Sequence, residues 1–433
     1  MERLAKHLVV VSFDAMNSND LEKIKNYPNF KRLLADSSYS YEVSSISPSL
    51  TYPAHTSIIT SMYPDKHGII ANTLMQAHRD NPDWFWQHKY IKSPTVYDKA
   101  LDAKMTVAAL LWPVTAKSKI TYNFPEIFAN RRWKTQIAVS LVNGSAGYQY
   151  NLNKKFGKLR DGISQPKLDD FVEASLLYTI KEYKPDLTLV HFVDLDSMRH
   201  YYGFDSVQAD EALVRHDNRL GSILDLLEDE AMIDDTTIVV LGDHSMKSTH
   251  SVISLRRLFE QNGLMTYKRS KLKEYKVITK TADGSTYIYL KDKKEKQKVF
   301  DLLNEFKNST NAVDKILNNE EIKRIHADHT ADYLVDANEG YYFSDKLEDL
   351  VINKIEMIGN RVKSGYLLSS HGYLQDKEGY KTIFIVKGNQ IKKNFNIGPM
   401  NLVDEGITFA KILGLDMGNV DGRLLEEIFE DEN

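Results

Sequence analysis

Residues 187–203 read LTLVHFVDLDSMRHYYG, and their character changes in mid-stretch. Leu187–Val193 is a short, nearly unbroken apolar run rich in β-branched and aromatic residues, which predicts a strand covered on both faces. It ends in Asp194-Leu195-Asp196, and His200 follows Asp196 by four residues, one helical turn later. Downstream, Leu213, Leu220, Leu224 and Leu227 recur at helical spacing and predict a helix from Val207 to Asp229. A second apolar run, Thr237–Leu241, then ends in Gly242-Asp243-His244. Strand, helix and strand in this order form a βαβ unit, the signature of a doubly wound α/β core.

The same pattern extends outward. His7–Phe13 (HLVVVSF) predicts another buried strand ending at Asp14, and Thr382–Val386 (TIFIV) is a fourth. An apolar stripe through Phe171, Ala174, Leu177 and Ile180 predicts a further helix. Residues 255–345 break the rhythm. There Tyr275–Thr281 and Ser285–Lys291 flank Ala282-Asp283-Gly284 as a hairpin with a glycine turn, and a lysine-rich helix follows at about 292–307. The Lys291–Lys298 charge run reads as a solvated face. The expectation is an α/β core (residues 1–254 and 346–433) with a mostly parallel sheet flanked by helices, plus an inserted α+β cap subdomain at 255–345.

In an open parallel sheet, ligands sit at the carboxyl ends of the strands. Three of these strands deliver Asp14, Asp196 and Asp243 to one rim. Carboxylates gathered in one crevice repel unless they share protons or cations. A divalent metal resolves the conflict, and His200 and His244 add imidazoles suited to zinc, with manganese also compatible. The chain contains no cysteine, which excludes disulfides, thiolate metal sites and a cysteine nucleophile.

Bulk properties set outer limits. The 433 residues carry a net charge of -4, with no basic footprint for a nucleic-acid polymer. No stretch approaches the ~20 apolar residues of a membrane helix. The run Leu8–Phe13 is too short for a signal-peptide core and ends at an acid, so a cytoplasmic location is expected. Oligomeric state is not legible.

Between the first and second of these strands lies SPSLTYPAHTSIITSMYPDKHGII, residues 47–70. Thr56–Met62 predicts a short helix, with Pro53 in its first turn and Thr51 at or just before its N-terminus. Read locally, Thr51 is a helix cap. The backbone N–H groups at such a terminus also favour an anion.

These segments together resemble the nucleotide pyrophosphatase/phosphodiesterase branch of the alkaline phosphatase superfamily. The resemblance rests on the strand ending in Asp14, on Thr51-Tyr52-Pro53 through Tyr63-Pro64-Asp65-Lys66-His67-Gly68-Ile69, and on Asp196 through Gly203. Gly242 through Met246 and His371-Gly372-Tyr373 complete it. It implies an alkaline-phosphatase-like core and a phosphoric ester hydrolase acting through a phospho-threonine on Thr51. It also implies two divalent metal ions, one among Asp14, Thr51, Asp243 and His244, the other among Asp196, His200 and His371. Asn72 would contact the oxyanion. Two departures bear on the substrate: Arg199 stands where the family has small residues, and Ala54 replaces an asparagine often found there.

A phosphodiester or nucleotide pyrophosphate is the substrate class implied. The absence of an arginine clamp for a terminal phosphate favours diesters over monoesters, with phosphomonoesters and phosphonates as the near alternatives. Asp83-Trp84-Phe85-Trp86 and Trp112 would either stack on a nucleobase or pack as an aromatic cluster. Structural roles are expected for His55, His67 and His250. A sulfatase would need a modified Cys or Ser, and a cofactor-independent phosphoglycerate mutase would use Ser. A binding protein on an inactive hydrolase scaffold is the reading from another class, and the complete set of seven ligands argues against it.

Overall fold

The computed structural model describes residues 2–79, 81–131 and 133–430. Its centre is a nine-stranded sheet. The middle strand β1, His7–Phe13, is buried along its whole length. Side chains alternate across it. Leu8 and Val10 enter one apolar layer, while Val9, Val11 and Phe13 enter the other. With β2 (Ser38–Ser44), β3 (Val107–Leu110), β4 (Tyr122–Phe124), β5 (Leu187–Phe192) and β6 (Thr236–Leu241), the order from one edge runs Phe395–Asn396, β2, Thr382–Lys387, β6, β1, β5, β3, β4, and Met400–Asn401 also pairs with β2. β1 is parallel to both β5 and β6.

The strand Thr382–Lys387 is antiparallel to its neighbours β6 and β2, which departs from the parallel expectation for its apolar run. It is buried because helices cover both faces of the sheet. An apolar run therefore reports burial, and strand direction is set by the connections. One covering layer includes Ala54, Ile58 and Ile59 of the helix Thr51–Thr60, and Phe409 and Ile412 of the helix Asp404–Ile412. The other includes Phe171 and Ile180 of Lys167–Tyr183, and Leu213, Leu220 and Leu224 of Val207–Asp229.

The helix predicted at Thr56–Met62 instead spans Thr51–Thr60 and stops at Ser61, which has a φ of 53°. Pro53 is its third residue. First-turn N–H groups have no acceptor within the helix, so a proline there costs no hydrogen bond. Thr51 is thereby inside the first turn.

Residues 277–337 form a separate antiparallel sheet in the order Val277–Thr281, Ser285–Leu290, Tyr333–Ala337, Val313–Asn318. The helix Lys296–Ser309 buries Val299, Leu303 and Phe306 in the same apolar cluster, while most of the Lys291–Lys298 run is exposed. Hydrogen bonding crosses both ends of the 255–345 segment, because Gly340–Phe343 and Ile352–Lys354 flank the strand Lys247–Ile253.

A buried charge network sets the turn at the end of β5. Asp169 accepts hydrogen bonds from the Val193 and Asp194 N–H groups at 2.9 and 3.0 Å. Asp194 in turn receives Arg215 at 2.6 Å and Arg219 at 3.3 Å. Arg219 is 2% exposed and also donates to Asp170 at 2.8 Å. This turn launches the helix Asp194–Tyr202, which carries Asp196 and His200. Arg219→Met leaves Asp194 with Arg215 as its remaining arginine partner and removes the charge that offsets the burial of Asp169, and is expected to cost about 1–3 kcal/mol. Urea unfolding reads this, and a loss below about 1 kcal/mol refutes the network's role.

Candidate active site

The strand ends bring the sequence-selected residues together. His244 Nε2 lies 3.2 Å from Asp14 Oδ1, 3.2 Å from Asp243 Oδ2 and 3.2 Å from Thr51 Oγ1. On the neighbouring side, Asp196 Oδ1 is 3.2 Å from His200 Nε2 and 3.8 Å from His371 Nε2. The rings of His244 and His371 stack with centroids 4.0 Å apart, which joins the two groups into one cluster. Asp14, Asp243 and His244 form one set with mutually close donor atoms, and Asp196, His244 and His371 form another. His244 thus faces both sets.

Asn72 lies at the N-terminus of the Thr51–Thr60 helix. Its Oδ1 accepts from the Tyr52 N–H at 3.0 Å. That leaves its amide NH2, a double donor, without a protein acceptor among the described residues.

Burial dominates the electrostatics. It pushes the Asp14 carboxyl well above the usual range, reinforced by the charges of Asp243 and Asp196. It raises Asp243 to about 6. At Asp196 burial acts in the same direction, but the nearby charge of His200 outweighs it and holds the carboxyl below its usual value. His200 rises to about 9, because Asp196 overcomes the desolvation of the imidazolium. Burial lowers His244 to about 4 and His371 well below 6.5.

Outer partners fix the ring orientations. His200 Nδ1 donates to the Ser369 carbonyl at 2.8 Å, which turns Nε2 toward Asp196. Arg199 points away from the cluster. Its guanidinium donates to the Ala15 carbonyl at 2.7 Å and pairs with Asp20. It thereby braces the loop after Asp14, where the Ala15 N–H donates to Asp243 Oδ1 at 3.1 Å.

His55 and His67 behave as structural groups. The His55 ring N–H donates to the Thr51 carbonyl at 2.8 Å, and its other nitrogen meets the Ser12 hydroxyl at 2.9 Å. His67 accepts from the Ile69 N–H at 3.1 Å and contacts the Ser57 hydroxyl at 2.9 Å. His250 contacts the Ser251 hydroxyl at 3.0 Å and packs edge-on against Tyr341. Trp84, Trp86 and Trp112 pack. Trp112 is buried against the His55 edge, and Trp84 and Trp86 both meet Phe128. Tyr52 packs against Trp84.

Two contributors escaped the sequence reading. His191 Nε2 donates to Asp14 Oδ2 at 3.0 Å, while its Nδ1 faces Glu126 Oε2 at 3.5 Å. Burial opposes its charge, but those two carboxylates raise it well above 6.5. A signal was present, since His191 is an imidazole inside the apolar run Leu187–Val193. Glu126 lies in a loop and carries no such signal.

The sequence model of the type I phosphodiesterase / nucleotide pyrophosphatase family matches residues 8–374. Human ectonucleotide pyrophosphatase/phosphodiesterase family member 5 is 22% identical over 408 residues, 92% of this chain and 72% of its own length. Human bis(5'-adenosyl)-triphosphatase ENPP4 is 21% identical over 425 residues, 95% of this chain and 79% of its own length. Bovine family member 3 is 24% identical over 255 residues, 56% of this chain, and the chain spans only 25% of that relative's length. In structure, an inactive variant of murine ectonucleotide pyrophosphatase / phosphodiesterase 5 in complex with AMP superposes with a TM-score of 0.70 at 20% identity, covering 99% of this chain and 100% of that one. The likeness confirms the alkaline-phosphatase-like fold. With a match spanning strands β1 to β6 and His371, this chain belongs to the type I phosphodiesterase / nucleotide pyrophosphatase family.

Proposed function

We propose that the chain is a metal-dependent phosphodiesterase or nucleotide pyrophosphatase that works through a phospho-threonine on Thr51. The observation that carries this reading is the convergence on His244 Nε2 of the Thr51 hydroxyl and two carboxylate oxygens, each at 3.2 Å. Asp14 Oδ1, Asp243 Oδ2 and Asp196 Oδ1 are buried and have no hydrogen-bond partner. Buried carboxylate oxygens normally have one. Orphaned oxygens facing imidazole nitrogens fit divalent cations. Asp14, Thr51, Asp243 and His244 would hold one ion and Asp196, His200 and His371 the other. When bound, zinc, or manganese as the second choice for these donors, supplies positive charge at the attacking and leaving oxygens.

The chain's own residues account for the rest. The Thr51 oxygen, its hydroxyl proton released to solvent, forms the new bond to phosphorus as the bond to the leaving oxygen breaks in line. The leaving oxygen departs with the bonding pair, and water later cleaves the phospho-threonine ester and restores the hydroxyl. The Asn72 NH2 is placed to donate to a non-bridging oxygen. Arg199 is committed to Asp20 and Ala15, so it offers no clamp for a doubly charged terminal phosphate. That supports diesters over monoesters. The AMP held by the murine relative supports a nucleotide-like ester.

Thr51→Ala is expected to lower kcat by about 10⁴-fold or more on bis(p-nitrophenyl) phosphate. Full activity in that variant would eliminate the mechanism. Asn72→Ala is expected to lower kcat by about 10²–10³-fold, the worth of one oxyanion donor. Preference for p-nitrophenyl phosphate over the diester would replace the diesterase reading with a monoesterase, and a preference for an aryl phosphonate ester would point to phosphonates.

Zinc added to chelator-treated protein should raise the thermal midpoint, by linkage of up to about 4 kcal/mol at a thousandfold excess over Kd. An Asp14→Ala, Asp196→Ala double variant should lose that shift. An equal shift in the variant would place the ions elsewhere.

Among the described residues, no helix is long and apolar enough to cross a membrane. The cytoplasmic location is also a proposal, resting on the sequence alone, and the bovine family member 3 and human family member 5 carry the prefix ecto in their names. Fractionation of the native host tests it, with recovery outside the cytoplasm as the contrary result.

A further inference from the structure

A cleft of about 1130 Å³ opens beside the candidate site. One wall comes from residues 73–79, 81 and 82, and the other from strand Val277–Thr281 and the stretches 342–347 and 358–367. The cleft reaches the site through Thr73, which follows Asn72 directly, and through Tyr201, which follows His200. Consecutive Cα atoms are about 3.8 Å apart, so Thr73 and Tyr201 set the cleft directly beside Asn72 and His200.

The lining is cationic in a chain whose net charge is -4. Among the described residues, Arg79, Arg256, Lys271, Lys280, Lys346 and Arg361 face the cleft, against the carboxylates of Asp283 and Asp345. Most of these cations are on the rim or already engaged. Arg256 donates to the Thr279 hydroxyl at 3.0 Å and pairs with Asp345 at 3.4 Å. Asp345 is further occupied by the Thr279 hydroxyl at 2.5 Å and the Thr281 N–H at 3.1 Å.

Lys280 is different. It is 4% exposed, and its ammonium donates to the Thr73 hydroxyl. Among the described residues no carboxylate lies within ion-pair distance of it. A lysine is almost never fully buried unless it is paired. A neutral side chain of the same length would pack there without the desolvation cost. Burial lowers the ammonium to about 8, with Arg256 adding to the shift and Asp345 and Asp283 opposing it. The group is therefore still mostly charged at neutral pH.

We propose that Lys280, with the Thr73 hydroxyl beside it, binds a second anionic group of the substrate, a phosphate or carboxylate separate from the scissile phosphate. This rests on the phosphodiesterase reading and adds to it a residue that selects among diesters. An ammonium acts as a point charge and suits oxyanions without demanding a planar partner.

The test compares three substrates on the zinc-loaded full chain. Bis(p-nitrophenyl) phosphate has uncharged arms, ATP carries further phosphates, and p-carboxyphenyl p-nitrophenyl phosphate carries a carboxylate. In Lys280→Met the ratio of kcat/KM for a charged-arm substrate to that for the uncharged one is expected to fall about 10- to 100-fold, the worth of a hydrogen bond to a charged group. Lys280→Arg should keep most of the ratio. A fall with ATP alone identifies phosphate as the ligand, and a fall with the carboxyphenyl ester alone identifies carboxylate. Unchanged ratios, or equal losses on all three substrates, overturn the proposal.

Lys280→Gln keeps a donor for Thr73 and serves if the Met variant does not fold. Calorimetric titration of inorganic pyrophosphate into wild type and variant reads binding without turnover, with about a tenfold weaker Kd expected and an equal Kd contrary to the proposal. If wild type cleaves none of the three substrates, the phosphodiesterase reading fails, and the titration still decides the role of Lys280.

Discussion

The site is governed by the cost of burying like charges together. Asp14, Asp196 and Asp243 are all buried at one rim of the sheet, and each leaves one oxygen without a hydrogen-bond partner. Water cannot stabilise them there, and a low-dielectric setting magnifies their repulsion. Only protons or cations relieve that arrangement. The carboxyl groups of Asp14 and Asp243 respond by moving upward, toward the protonated form. An open parallel sheet makes such convergence possible, because its strands end on the same side.

The scaffold around the rim holds this arrangement in place. Asp169, Arg215 and Arg219 secure the turn that carries Asp196. Arg199 and Asn17 hold the Ala15 carbonyl, while the Ala15 N–H fixes one oxygen of Asp243. His191 fixes the outer oxygen of Asp14. In each case one polar group of a ligand-bearing segment is satisfied by an outer partner, and another is left facing the cluster. Such outer partners orient the groups that bind a metal. Arg199, a departure from the family pattern, is therefore part of the support for the site.

The inserted segment joins in from the other side. Its hairpin turn brings Asp283 near His200 and Asp196, and the Asp283 carboxyl is raised to about 6, chiefly by burial, with the charge of His200 opposing and that of Asp196 adding to the shift. Its strand Val277–Thr281 brings Lys280 to Thr73. The segment that interrupts the α/β rhythm thus walls the cleft beside Asn72 and His200. In the proposed reading, chemistry resides on the sheet rim, and discrimination among substrates falls to residues 255–345. Loops and insertions commonly carry specificity on a rigid scaffold.

The α/β class, the strand ends bearing Asp14, Asp196 and Asp243, and the helix from Val207 to Asp229 were legible in the sequence. Burial on both faces and helical periodicity are local properties, and local patterns record them. Thr51 and His371 needed the family resemblance, because a threonine at a helix start and a lone histidine have commoner structural uses. Several features were decided only in three dimensions: the antiparallel direction of Thr382–Lys387, the outward turn of Arg199, the His191–Glu126 support behind Asp14, and the pairing of Lys280 with Thr73. Direction depends on connections, and each of the other three joins residues far apart in the chain, from 65 residues for His191 and Glu126 to 207 for Lys280 and Thr73. No local pattern encodes such a distance. The sequence determined which carboxylates and imidazoles its strand ends would carry, and the tertiary structure decided what holds each group in place and which buried cation, among the described residues, has no carboxylate beside it.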